Sequence, residues 1–356
     1  MARRKNRRSA ISKEKRYYKR LRGDYKDSYK AIRKERNSIK QNKKRLKSTK
    51  KTDYNRIKFP KELDIYDYHN TRNSLKSCND IFGKGKYILL DFSVVELLSA
   101  SVGAYLLSTV LKALSMGKVI RCKNPKDEKS KAVLQKIGLF KIIGKNEPLA
   151  EAQVNNYPDI ERWFVYRSSK FNSQELYECV HEFTTSHIDK DSKEMPNEHR
   201  KSIEKNIKEL IGNTIEHAYP KGYTLDRHFI LFAKYEDDYL DLIISDSGLT
   251  IPITYVKYHR ENAILKEYLK KGIKSDTTLI EMAVKKDISG TNLDGRGHGL
   301  NRAESMIKEY GGAMLIYSKK GYFLNKNNRA GFRHFKLALP IHGTVVNLSL
   351  PLESLT

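Results

Sequence analysis

Ile203, Ile207, Leu210, Ile211 and Thr214 recur at the spacing of one buried helical face. The pattern predicts a long helix over "EHRKSIEKNIKELIGNTIEHAY". A shorter helical pattern, "NSQELYECVHEFTTSHI", precedes it. After it, "HFILFAKYEDDYLDLIISDSG" reads as two strands around the turn "EDD". "LNRAESMIKEYGG" then predicts a helix stopped by Gly311 and Gly312. The strands "AMLIYSK", "FKLALPI" and "TVVNLSLPL" follow. Because strands and helices do not strictly alternate here, the pattern predicts a mixed sheet with helices on one face.

Upstream the rhythm is different. "KYILLDFS", "ELLSASVGAYLLSTVLKAL", "GKVIRC" and "KSKAVLQKIGLFKII" read strand, helix, strand, helix over 85–145. That alternation implies a parallel sheet covered by helices. Residues 59–80 read as a linker or entry segment, and a join falls near 146–160. The uncharged apolar run Leu97–Leu111 is 15 residues long. A bilayer span needs about 20, so it reads as a buried core helix.

In the first segment, Tyr18, Tyr25, Ile32, Ile39 and Leu46 recur every seven residues, half of a coiled-coil seam. Charge changes the picture more. Residues 1–60 hold 25 Lys/Arg and 5 Asp/Glu, most of the chain's formal net charge of +27. Such an arm suits phosphate polyanions, above all DNA or RNA. Arg3, Arg4, Arg7, Arg8, Lys15, Arg16, Lys19 and Arg20 are its candidate contacts, with tyrosines available for stacking. The other readings are a solvated, partly helical tail and a membrane-surface arm, which the lack of a good apolar face argues against. The three cysteines, Cys78, Cys122 and Cys179, lack paired spacing, which argues against a disulfide framework or thiolate zinc site. With no apolar stretch suited to a signal or a membrane, the expected location is the cytoplasm.

The fold class expected is therefore α/β throughout. It comprises a basic, partly helical arm (1–58), a small α/β domain (59–150) and an α/β sandwich (151–356).

Candidate chemistry lies in four stretches of the sandwich. Glu209, Asn213 and His217 recur at four-residue intervals, so they project from neighbouring parts of one helix. A carboxylate there can activate a nucleophile, and an asparagine carbonyl can join an octahedral Mg²⁺ shared with phosphate oxygens. "LIISDSGLTIP" ends a strand in Asp246, followed by Gly248. An aspartate so placed can accept the exocyclic N–H of adenine and repel the oxygen guanine offers. "DGRGHGLNRAESMI" alternates Gly295, Gly297 and Gly299 directly before a helix, with Arg296 and His298 between them. Such a loop suits phosphates at a helix N-terminus. It follows no obvious strand, which argues against a dinucleotide fingerprint, and no P-loop motif occurs. Finally, "HGTVVNLSLPL" places Gly343 and Thr344 before the last strand.

In that order, the four stretches resemble the GHKL (histidine kinase-like) ATPase superfamily over roughly 160–352. The likeness is nearest to the ATP-binding domains of anti-sigma-factor kinases. It implies ATP and Mg²⁺ as cofactors, Glu209 as general base, Asn213 as the Mg²⁺ ligand and Asp246 as the adenine partner. Gly248 would open space under the base, and Gly295, Arg296, Gly297, His298 and Gly299 would hold phosphates. Thr344 would support the adenine pocket, and 253–294 would form a lid. The family's second glycine after the aspartate is Thr250 here, which predicts strain if that backbone has positive φ. Residues 85–145 resemble more loosely a STAS-type domain, in which a serine near the helix start is phosphorylated; Ser101, or else Ser99, is nearest that place.

The leading functional expectation is an ATP-hydrolysing regulatory switch, held on nucleic acid by its arm and passing its state to a protein partner or a second copy. By resemblance alone, mobile-element and phage-defence settings suit such a chain. The alternatives are a protein serine kinase acting on a STAS-type domain, and a nucleotide-sensing module without turnover.

Overall fold

Strong alternation of side chains along four strands organises the molecule. In β7 (Phe229–Glu236), Phe229, Leu231 and Ala233 enter one core while Ile230 and Phe232 enter another. In β8 (Tyr239–Asp246), Leu240, Leu242 and Ile244 face the first core and Ile243 the second. β9 (Ala313–Ser318) and β11 (Thr344–Pro351) divide the same way. A period of two thus buries both faces of one sheet. The computed structural model describes residues 54–355 apart from 65–67, 145–156, 158–159, 161–163, 169–172, 187–195, 220–224, 226, 237, 260–262, 271–274, 286–298 and 327–338.

The architecture is α/β. The large sheet has six strands in the order β10-β9-β11-β8-β7-β6, with β6 at Phe164–Ser168 and β10 at Gly321–Lys326. Every neighbouring pair is antiparallel, so the expected mixed sheet is corrected to an antiparallel one. β8 and β9, both antiparallel to β11, run parallel to each other and are joined by a helical crossover, with β11 inserted between them. β6 and β10 were not foreseen. β9 and β10 form a hairpin through Lys319, which takes φ +56°, a turn without the usual Asn-Gly or Asp-Gly signal.

One face carries the long helix α6 (Asn197–Asn213) and α10 (Gly299–Glu309). Ile203, Ile207, Leu210 and Ile211 of α6 are buried there, as the spacing predicts. The helix α5 (Ser173–Ser186) packs on α6, and α7 (Ile251–Tyr258), α8 (Ala263–Lys270) and α9 (Asp276–Lys285) follow β8.

The second face corrects the expectation of helices on one face only. It is covered by α2 (Ala100–Ser115), the apolar helix of the first half of the chain. Strand positions such as Ser245 and Asn347 would be solvent-facing in a one-sided sheet. Here they are buried and bonded to α2: Ser108 Oγ lies 3.1 Å from Ser245 Oγ, and Asn347 Nδ2 donates to Ser101 Oγ at 3.2 Å. Polar alternation signals an exposed face only when nothing polar comes to meet it.

The hydrophobic core that α2 enters also holds a three-stranded parallel sheet, β1-β3-β5, with β1 at Asn55–Lys58, β3 at Tyr87–Asp91 and β5 at Val119–Lys123. β1 corrects the arm's boundary: Asn55–Lys58 pairs with β3 and buries Ile57. The supposed linker also carries structure. It contains β2 (Glu62–Leu63), which pairs with β4 (Leu97–Leu98), and most of α1 (Tyr68–Gly83), whose Leu75, Cys78 and Ile81 are buried. The single helix expected after β5 is two, α3 (Glu128–Lys136) and α4 (Leu139–Ile142), split where Gly138 turns left-handed at φ +80°. The described residues all fall in one compact unit. Among the described residues, no helix is long and apolar enough to cross a membrane.

Candidate functional site

The candidate residues gather around the C-terminal end of α6. The regular α-helix ends at Asn213, and Thr214–Ala218 continue as one π-helical turn. Thr214 Oγ1 donates to the Leu210 carbonyl at 3.0 Å. Wide turns of this kind often mark functional sites. His217 lies in it, edge-on to Tyr258 of α7 with ring centres 5.1 Å apart.

Gly299 opens α10 and is buried against this end of α6. A Cβ at 299 would overlap the Asn213 amide nitrogen and lie 3.2 Å from the Glu209 carbonyl oxygen. Three residues on, Arg302 Nη1 forms an ion pair with Glu209 Oε1. Glu209 Oε2 is buried and has no hydrogen-bond partner among the described residues.

Asp246 ends β8 at the centre of the sheet, opposite Phe229 on one side and Thr344 on the other. It is 4% exposed. Burial pushes its carboxyl up to about 7, against the pull of the Gly248 N–H, Lys112 and the Thr344 backbone. The Gly248 N–H donates to Asp246 Oδ1 at 2.8 Å, closing the turn "DSG". A Cβ at 248 would stand 2.8 Å from the Ala218 backbone carbon, and the Leu249 N–H donates to the Ala218 carbonyl at 2.8 Å. The strand-end turn and the π turn are therefore in backbone contact, and only glycine permits it.

Ser318 ties the surrounding elements together. Its Oγ accepts from the Ile251 N–H at 2.9 Å and meets Thr344 Oγ1 at 2.9 Å. Gly343, at φ +89°, passes so close to Asp246 that a Cβ would lie 2.7 Å from its backbone carbon. Tyr219 OH accepts from the Ser247 N–H at 3.3 Å and donates to the His228 carbonyl.

The strain considered at Thr250 is absent. Its backbone is ordinary extended chain, φ −80° and ψ 154°, at the N-cap of α7. A glycine is not required at such a position. Thr250 Oγ1 and Ser247 Oγ are both buried without a hydrogen-bond partner among the described residues.

Glu209, Asn213 and Gly299 thus meet at one end of the π turn, and Asp246, Gly248 and Thr344 at the other. Gly295, Arg296, Gly297 and His298 lie outside the described residues, as do Arg3, Arg4, Arg7, Arg8, Lys15, Arg16, Lys19 and Arg20. Of the span 253–294, residues 260–262, 271–274 and 286–294 lie outside them too. Sequence reasoning missed Arg302 and Lys112. Arg302 follows Gly299 by three residues, a spacing that places it near the same helical face, and is the more recoverable of the two. No family model matches the chain, and no curated protein matches it either.

Proposed function

We propose that this chain binds ATP with Mg²⁺ and works as an ATP-hydrolysing regulatory switch of the GHKL type. The observation that carries the reading is the junction of two backbone contacts on one helix end, Gly299 on Asn213 and Gly248 on Ala218. It brings the Asn213 amide and the Asp246 carboxylate, the groups this reading assigns to Mg²⁺ and to the base, to the two ends of one turn.

The residues present suit such a ligand. Three buried polar atoms around the junction lack partners among the described residues: Glu209 Oε2, Ser247 Oγ and Thr250 Oγ1. Buried hydroxyls and carboxylates are seldom left so. In its ionised form Asp246 accepts the adenine amine, and Gly248 keeps the space beside it open. Asn213 offers its amide oxygen to Mg²⁺, which neutralises triphosphate charge and keeps most of its water. The N-terminus of α10, starting at Gly299, favours anionic oxygens. Glu209 accepts a proton from water through Oε2 while Arg302 holds Oε1.

The same ion pair favours a second reading, a nucleotide-sensing module without turnover, because an arginine on the carboxylate competes with its work as a base. The kinase alternative finds no support in a cis acceptor. Ser101 is 1% exposed and bonded to Asn347 on the sheet face opposite α6. The arm over the first residues is proposed to hold the protein on nucleic acid.

The test is incubation with γ-labelled ATP and Mg²⁺, wild type beside Glu209→Ala. Free phosphate that disappears in the variant supports hydrolysis. Label on serine supports the kinase, and binding without either supports sensing. A wild type that binds no adenine nucleotide overturns all three.

A further inference from the structure

α2 presents a polar row to the back of the antiparallel sheet. Ser101, Tyr105, Ser108 and Lys112 lie three or four residues apart on one helical face. Each bonds to the second half of the chain. Ser101 accepts from Asn347, the Tyr105 hydroxyl accepts from the His342 N–H at 3.1 Å, and Ser108 meets Ser245. The last is the most consequential: Lys112 Nζ donates to the Ser247 carbonyl at 2.6 Å. Ser247 is the central residue of the turn by which Asp246 reaches Gly248.

We propose that Lys112 is a positioning and specificity-determining residue for base recognition: from behind the sheet its ammonium holds the Asp246–Gly248 turn in place and favours the acceptor form of Asp246. The inference rests on the adenine-nucleotide reading of the site and names a residue of it from the other half of the chain.

Three observations support the assignment. First, Lys112 is held rather than free to wander. Its ammonium lies 5.6 Å from the centre of the Phe82 ring, and Phe82 in turn packs edge-on to His342 at 4.6 Å. Second, the charge is needed where it is. Asp246 is buried, and a buried carboxylate without a cation nearby takes up a proton. A protonated carboxyl offers one acceptor fewer and adds a donor, so it no longer discriminates the adenine amine from the guanine carbonyl. Third, the interaction is mutual: burial lowers the Lys112 ammonium and Asp246 raises it again.

The groups around Asp246 are few. Lys112 approaches from α2, and Tyr219 from the segment after the π turn, its hydroxyl raised by burial and by Asp246. The backbone N–H groups of Gly248 and Thr344 complete the set. His342, which precedes β11, faces Lys112 and is lowered by burial and by that cation. Lys112 is the one cation on Asp246 among the described residues.

The experiment is calorimetric binding of a non-hydrolysable ATP analogue with saturating Mg²⁺ from pH 5.5 to 8.5, using the full chain. Wild type, Lys112→Met, Lys112→Gln and Lys112→Arg are compared, with folding checked by circular dichroism. Titration of the ligand's phosphates is common to all four and cancels. In wild type, affinity rises with pH as Asp246 ionises. In Lys112→Met the midpoint of that rise moves up by about one pH unit, so binding is about fivefold weaker at pH 7, about tenfold weaker at about pH 6, and recovers at high pH. Lys112→Gln keeps a donor for the Ser247 carbonyl but no charge, and shifts as the methionine variant does. Lys112→Arg restores the wild-type midpoint. An unshifted midpoint in both neutral variants, or an equal loss at every pH, overturns the inference while leaving the nucleotide site intact. Absence of binding by wild type overturns the reading beneath it.

Discussion

Gly299 lies directly against the Asn213 side chain, so closely that a methyl group at 299 would take the place of its amide nitrogen. The contact joins the start of α10 to the end of α6. The obstructing atom is the tip of a side chain, which can rotate away. Gly299→Ala is therefore expected to displace the Asn213 amide rather than unfold the protein. The Mg²⁺-dependent part of ATP-analogue affinity falls about tenfold, while the melting temperature changes little. Titrations with and without Mg²⁺, beside a thermal melt, measure both.

Gly248 is the opposite case. A Cβ there meets the backbone of Ala218, which cannot step aside. Gly248→Ala is expected to destabilise the fold by about 1–3 kcal/mol, the usual cost of forcing atoms into a packed interior. Urea unfolding reads the difference. A neutral Gly248→Ala would mean that the two turns are not in contact in solution.

Asp246 also predicts a pH dependence. Its carboxyl is raised to about 7 in the folded protein, against about 3.9 in an unfolded chain. Between those values the folded protein holds a proton that the unfolded chain has released. Its contribution to stability is therefore fully present below about pH 4 and is lost as pH rises through about 7. His259 and His342, both lowered by burial, act in the other sense: they contribute above the ordinary histidine range and lose it as pH falls. The difference between wild type and Asp246→Asn isolates the carboxyl. The stability of Asp246→Asn relative to wild type should increase from pH 5 to about pH 7 and level off above it in denaturant unfolding.

Ser101 tests the buried seam between α2 and β11. It is 1% exposed and shares a hydrogen bond with Asn347. Ser101→Asp, which mimics phosphorylation, buries an unpaired charge and should cost roughly 3–5 kcal/mol. Ser101→Ala should cost about 1 kcal/mol. If Ser101→Asp melts with wild type, the seam opens readily and the case against a phosphate acceptor there falls.

Truncation separates the arm from the fold. Removing residues 1–50 should leave the melting temperature unchanged and abolish salt-sensitive retention on nucleic acid. Removing residues 1–58 also takes β1, with buried Ile57 and the Arg56–Asp91 ion pair. It should cost roughly 3 kcal/mol or more. Retention that survives the shorter deletion would reject the role given to the arm.

Much of this protein is legible in its sequence because the signals are local. The face of Ile203, Ile207, Leu210 and Ile211 specifies α6, since helical repetition sets neighbours three and four residues apart. The strand ending in Asp246, the glycine after it and the helix beginning at Gly299 follow from alternation and turn chemistry of the same short range. The strands β6 and β10 carry weaker signals and were decided by their partners across the sheet. Tertiary structure alone decided the rest. Ser245 and Asn347 read as solvent-facing until α2 arrives with hydroxyls to bond them. Arg302 finds Glu209 across 93 residues, and Lys112 finds Ser247 across 135. A charge on an isolated helix carries no mark of the buried group it will face, because that pairing exists only once two separate layers have packed.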